Sequence, residues 1–265
     1  MIKLVATDVD GTLVKDSSPE VYSEMIEMIK KLRAQDIIVC IASGRQYGSI
    51  SKMFKEVAND LIFIANNGAH IKCRGVDMHI SKIDRPYVEE LTKELRQIPD
   101  CEKAYEGAGV TYLETKNEDF IHVIRDQYRN DVAFVDDVLA ENVDLVKISI
   151  FNRPSIRKLG EEKLIPEWSD RLKSVMAGED WVDFMDKSVD KGNALKTIQD
   201  FFHISPDETM VFGDNNNDIG MLDVATESYA VETAPDVVKD HAKHICPSWK
   251  EKGVYKVLAE KFGEV

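Results

Sequence analysis

The chain has 265 residues, 43% of them hydrophobic and 31% charged, with a formal net charge of −14. That length holds one large domain or two modest ones, and the composition excludes a disordered or low-complexity protein. The acidic balance without a basic cluster argues against nucleic acid as a partner, and the longest apolar runs, residues 37–42 and 61–65, are too short to cross a bilayer.

The N-terminus, MIKLVATDVD, meets acidic residues before any apolar stretch of signal-peptide length. Cys40, Cys73, Cys101 and Cys246 are widely spaced and form no CxxC pair, which reads as reduced thiols in a cytoplasmic protein. An acidic chain that binds an anion must build a local positive site from a metal, a lysine, an arginine or backbone N–H groups.

Short apolar runs alternate with amphipathic stretches, the pattern of a doubly wound, Rossmann-like parallel α/β sheet. Residues 2–7 read as a buried strand ending at Asp8. Ser18-Pro19-Glu20 then reads as a helix start with serine as cap, followed by Val21, Met25, Ile29 and Leu32 on one face. Strands are expected at 37–42, ending at Ser43-Gly44-Arg45, and at 61–65, ending at Asn66-Asn67-Gly68. The pattern resumes at Asp190, a cap for a helix whose apolar side carries Ala194, Leu195, Ile198, Phe201 and Phe202. Thr209–Gly213 is the next strand, residues 229–231 and 244–246 read as short edge strands, and a last helix covers 254–262. Between these halves the pattern changes. A helix near 86–97, a strand at 146–151 and a helix near 155–163 suggest an α+β cap domain at 83–187 inserted into a core of 1–82 and 188–265, with one continuous domain as the alternative.

The chemistry gathers at strand ends, where ligands bind in open parallel sheets. Asp8 and Asp10, two residues apart and followed by Gly11, suit a carboxylate nucleophile and a general acid/base. In Ser43-Gly44-Arg45 a hydroxyl and adjacent N–H groups suit phosphate oxygens. Lys191, at a helix N-terminus, adds positive charge to an end already favourable to anions. Asp214 follows a strand as a magnesium ligand would, Asn217 suits a phosphate oxygen, and Asp218 suits either metal ligation through water or the orienting of Lys191. Each motif has a plainer reading as a turn, a polar loop, a surface lysine or a helix cap. The conjunction of four at one sheet edge carries the case.

In that order, Asp8-x-Asp10-Gly11-Thr12, Ser43-Gly44-Arg45, Asp190-Lys191-Gly192 and Gly213-Asp214-x-x-Asn217-Asp218 resemble the haloacid dehalogenase superfamily of phosphohydrolases. The long insert, the stretch 182–192 and Asn66-Asn67-Gly68-Ala69 are similar to its Cof-type branch, with Ser188 where many relatives have glycine. The resemblance implies a phosphatase acting on small phosphorylated metabolites through an aspartyl-phosphate on Asp8, with Asp10 as acid/base. It implies Mg2+ held by the Asp8 carboxylate, the Asp10 carbonyl and Asp214, with Asp218 nearby. It also implies phosphate held by Ser43, Gly44, Lys191 and Asn217, grouped here with Arg45 and with Thr12, which would orient the two aspartates.

A phosphomutase of the same superfamily and a non-catalytic phospho-acceptor module remain as alternatives. The expected partner is a small phosphate ester, with no nucleic acid or membrane, and the expected state is a monomer or weak homodimer. Tyr105, Glu106, Trp181 and Asp183 are candidate cap contacts to the substrate.

Overall fold

The structure, a computed structural model, describes residues 1–15 and 18–264. In chain order its elements are β1 (Leu4–Asp8), α1 (Ser23–Ala34), β2 (Ile38–Ala42), α2 (Tyr47–Met53), β3 (Ile62–Ala65), β4 (His70–Cys73), β5 (Val76–Ile80), α3 (Arg85–Leu95), β6 (Glu102–Glu106), β7 (Thr111–Leu113), α4 (Glu118–His122), β8 (Val132–Phe134) and β9 (Lys147–Phe151). There follow α5 (Arg157–Leu159), α6 (Ile165–Trp168), β10 (Lys173–Ala177), β11 (Trp181–Met185), α7 (Lys191–Phe202), β12 (Thr209–Gly213), α8 (Ile219–Asp223), β13 (Glu227–Val231), α9 (Asp236–Lys239), β14 (His244–Cys246) and α10 (Gly253–Phe262). They form two units, Met1–His79 with Asp190–Val265, and Ile80–Val189.

The first unit holds an eight-stranded sheet in the order β14-β13-β12-β1-β2-β3-β4-β5. The pairs from β14 through β3 are parallel, and β4 turns back antiparallel on β3. Every residue of β1, β3 and β12 is buried, as expected of strands with a layer on each face. Met25, Met28, Ile29 and Leu32 of α1 and Ala194, Leu195 and Ile198 of α7 join their core. The chain leaves β1 toward β2 and β3 on one side and later fills β12, β13 and β14 on the other. The order therefore reverses beside β1, where open α/β sheets build their sites. Asp8, Ser43, Asn66 and Asp214 all leave four adjacent parallel strands at one edge.

Three expectations need correction. The first helix begins at Ser23, capped by Tyr22 without a side-chain hydrogen bond, and not at Ser18. Ser18 is engaged elsewhere, since its hydroxyl donates to the Glu20 carbonyl and its own carbonyl accepts from Arg45. Of the two strands read as edges, β13 is internal and β14 lies at an edge. Phe201 is 66% exposed and packs edge-on against Phe202. Periodicity sets the direction of a side chain but not how far along the helix a neighbour reaches.

The second unit holds a six-stranded sheet in the order β10-β11-β9-β6-β7-β8, antiparallel except for β7 with β8. Alternation sorts its side chains. Ile148 and Ile150 of β9 pack with Leu91, Leu95, Leu164, Trp168 and Phe184, while Phe151 packs with Ala104, Phe120 and Trp181 in a second cluster. The helix expected near 155–163 runs from Arg157 through a π-turn at Gly160–Leu164 to Trp168.

Candidate active site

Asp8 is the last residue of β1, and burial of the whole strand leaves its carboxylate little water. Lys191 Nζ stands 2.6 Å from Asp8 Oδ1 and 2.7 Å from Asp218 Oδ1, and none of the three side chains is more than 7% exposed. The lysine reaches this point because it is the first residue of α7. Asp190 caps the helix by accepting from the Gly192 N–H at 2.8 Å. Gly192 is needed for the approach, since a Cβ there would lie 2.3 Å from the Gly220 carbonyl at the start of α8.

Both oxygens of Asp218 are engaged, Oδ1 by Lys191 and Oδ2 by the Asp214 and Asn215 N–H groups at 3.0 Å each. Asp218 therefore fixes the lysine and the loop after β12, while one of its oxygens also belongs to the carboxylate group that could hold a metal. Asp214 receives the Thr12 hydroxyl on Oδ1 at 2.8 Å. Thr12, expected to orient Asp8 and Asp10, thus orients Asp214. Gly11 has φ +85°, and a Cβ there would lie 2.2 Å from Asp214 Oδ2. Only glycine allows the turn after Asp8 to lie so close to the loop after β12.

The electrostatics are unbalanced. Asp8, Asp214 and Asp218 each offer an oxygen within 4.8 Å of the others, against one ammonium. Burial, with Asp218 beside it, pushes the Asp8 carboxyl well above the usual range, while Lys191 pulls it back. Burial and Asp218 push Asp214 up to about 6. Burial works against the charge on Lys191, but Asp218 and Asp8 together raise it above its ordinary value. Asp8 Oδ2 is buried and accepts no hydrogen bond. A hard divalent cation would supply both the missing charge and the missing partner, so these residues fit a magnesium ion.

Asp10 lies outside this group, with both carboxylate oxygens on Arg45, Oδ2 at 2.8 Å from Nε and Oδ1 at 2.5 Å from Nη2. Arg45, grouped by sequence with the phosphate ligands, instead holds the second aspartate. Ser43 is buried at the end of β2, and its Oγ accepts the Arg45 N–H at 3.1 Å. Gly44 faces the Asn67 amide, and Asn217 Nδ2 donates to Asn67 Oδ1 at 2.9 Å. Asn67 was legible in the sequence as part of the Asn66-Asn67-Gly68-Ala69 loop, but no role at the site was given to it. Its positive φ of 57° in the turn after β3 is the kind of position asparagine tolerates.

In the second unit, Tyr105 is fully buried in that unit's own core, its hydroxyl 3.4 Å from Glu114, so the expectation of a substrate contact there is corrected. Glu106 lies 2.9 Å and Asp183 3.6 Å from Lys147 Nζ, and all three are buried. Trp181 packs on Phe151 at 4.6 Å. The four cysteines are free. Among the described residues no helix is long and apolar enough to cross a membrane.

Comparison with known proteins bears on this arrangement. A family model for haloacid dehalogenase-like hydrolases matches residues 5–258. The chain is 29% identical to 5-amino-6-(5-phospho-D-ribitylamino)uracil phosphatase YbjI of Escherichia coli, covering 97% of this chain and 95% of that protein. It is 25% identical to a Bacillus subtilis protein of the same name, YitU, covering 98% and 97%. A crystal structure of a protein from Eubacterium rectale superposes with a TM-score of 0.91 at 34% identity, covering 98% of this chain and 99% of that one.

Proposed function

The chain belongs to the haloacid dehalogenase-like hydrolases and is a phosphatase; from that premise we propose that it is a magnesium-dependent phosphomonoesterase of small phosphorylated metabolites, working through an aspartyl-phosphate on Asp8. The observation that carries the reading is the Lys191 bridge between Asp8 and Asp218, beside an Asp8 oxygen that is buried and unpartnered. A lysine so placed neutralises an anionic nucleophile that must meet an anionic substrate.

In the first step an Asp8 oxygen attacks phosphorus. The bond from phosphorus to the ester oxygen breaks, its electron pair leaves with that oxygen, and the Asp10 carboxyl gives it a proton. In the second step water attacks the same phosphorus and gives a proton to the Asp10 carboxylate. The bond from phosphorus to Asp8 breaks, and the electron pair returns to the Asp8 carboxylate. Inorganic phosphate leaves and Asp10 is protonated again. Ser43, Gly44, Lys191 and Asn217 are the groups proposed to hold the phosphoryl oxygens. Asp8 and Asp214, with the Asp10 carbonyl, would hold Mg2+, which supplies charge neutralisation when bound.

The insert Ile80–Val189 is proposed to set leaving-group preference. Three relatives are named for a ribityl phosphate substrate, so that compound belongs in the first panel beside sugar phosphates, nucleotides, pyridoxal phosphate and flavin mononucleotide. The test is phosphate release across this panel, with and without magnesium. We expect magnesium-dependent release that Asp8→Asn abolishes. Wild-type rates in Asp8→Asn would refute the nucleophile, and an isomerised ester without free phosphate would indicate a mutase.

A further inference from the structure

We propose that Arg45 is the positioning residue of the acid/base Asp10, holding its carboxyl group in place for the proton transfers of both steps. This rests on the reading of Asp8 and Asp10 given above.

The geometry is a fork on a carboxylate. Arg45 Nε and Nη2 address the two Asp10 oxygens at 2.8 and 2.5 Å. The guanidinium is held from behind, with Nη1 donating to the Ser18 carbonyl at 2.9 Å and lying 3.3 Å from Met53 Sδ. Its backbone is fixed as well, since the Arg45 N–H donates to Ser43 Oγ and its carbonyl accepts the Asn66 N–H at 2.9 Å. The Arg45 side chain is 14% exposed and that of Asp10 27%, so this is no solvated surface pair. An aspartate on a glycine turn has free rotation about its side-chain bonds, and a planar fork with two parallel contacts removes it. An arginine whose guanidinium is used up in this way has little left for a phosphate.

The two roles for Arg45 predict opposite kinetics. With p-nitrophenyl phosphate the leaving group departs without help from an acid, so the first step is insensitive to Asp10. A misplaced Asp10 then slows only hydrolysis of the phosphoenzyme. For Arg45→Ala we expect kcat to fall about 10- to 100-fold, a part of what general acid–base catalysis supplies. KM should not rise, a burst of p-nitrophenolate should appear, and acid-quenched protein should carry phosphate on Asp8 by intact-mass measurement. Arg45→Lys, which offers one contact in place of two, should recover part of the rate. Accumulated phosphoenzyme is a gain that an unfolded variant cannot mimic, and Arg45→Lys is scored in the same way should Arg45→Ala fail to fold. A KM rise of tenfold or more with kcat unchanged would overturn the proposal in favour of phosphate binding. So would unchanged kinetics, or a folded but inactive variant with no phosphoenzyme. These outcomes are separable from failure of the parent reading, which would be activity retained in Asp8→Asn.

Discussion

At the scale of single residues, the site is defined by an imbalance of charge. Two buried carboxylates, Asp8 and Asp218, share one ammonium, and Asp214 stands beside them. Removing the cation and removing one anion should therefore have opposite consequences in metal-free protein. Lys191→Met leaves Asp8 and Asp218 uncompensated and should cost about 3–5 kcal/mol of stability. Asp8→Asn removes the surplus charge and should leave stability equal or higher, while activity is lost. Urea unfolding of the three proteins without metal checks this, and a destabilised Asp8→Asn would contradict it. The pH dependence follows from Asp214. Its folded-state value of about 6 lies above the ordinary 3.8, so between those limits the native state binds more protons than the unfolded one. Its contribution to stability thus falls as pH rises through that window and is flat above it. Bound magnesium favours the charged form and should abolish the slope. Melting temperatures from pH 4 to 8, with and without magnesium chloride, check this against Asp214→Asn. That reference is needed because groups such as Asp126, which Arg125 holds low, tilt the total the other way. A metal-free difference that rises with pH would refute the account.

At the scale of elements, what was legible in the sequence was whatever one strand or one helix turn decides. The strand ending at Asp8, the cap at Asp190 and Thr209–Gly213 all follow from local pattern. What was not legible depends on which partner a side chain finds. Arg45 and Thr12 carry their hydrogen bonds to Asp10 and Asp214 because the turn at Gly11 brings separate loops together, and no spacing rule reports that. In the insert the strand at 146–151 was legible, whereas β7 and β8 have only three residues each and β8 and β10 are not fully buried, so their alternation gives little signal. Helix α7 displays both cases. The glycine after Lys191 has a reason visible only in three dimensions, contact with the Gly220 backbone. Gly192→Ala should force α7 and α8 apart, cost about 1–3 kcal/mol and lower activity by displacing Lys191. Phe201→Lys, at the exposed end of the same helix, should change stability by no more than about 0.5 kcal/mol. Thermal melts of the two variants together with phosphate release check the pair. A neutral Gly192→Ala would mean that the crossing does not set the lysine.

At the scale of the whole molecule, the proposed chemistry falls in one unit, and the proposed setting of leaving-group preference in the other. Every side chain assigned to the reaction lies in Met1–His79 or Asp190–Val265. The insert forms a sheet that shares no strand with the other. Its central strand β9 is paired along its whole length on both sides, with β11 and with β6. One face is covered by the cluster around Trp168 and Leu91, the other by the cluster around Phe120 and Phe151. A piece of about 110 residues with a paired sheet and apolar cover on both faces meets the requirements of an independent domain. Residues 80–189, expressed alone, should therefore fold cooperatively, with a single urea transition and amide protection centred on β6, β9 and β11. The fragment should release no phosphate from any ester, because it contains none of the carboxylates at the end of β1 or β12. If it is unfolded, the insert depends on the first unit for stability, and changes made in it to alter leaving-group preference would also alter the chemistry. If it folds, the two properties are separable by mutation, which is the condition under which one reaction centre can be kept while its substrates change.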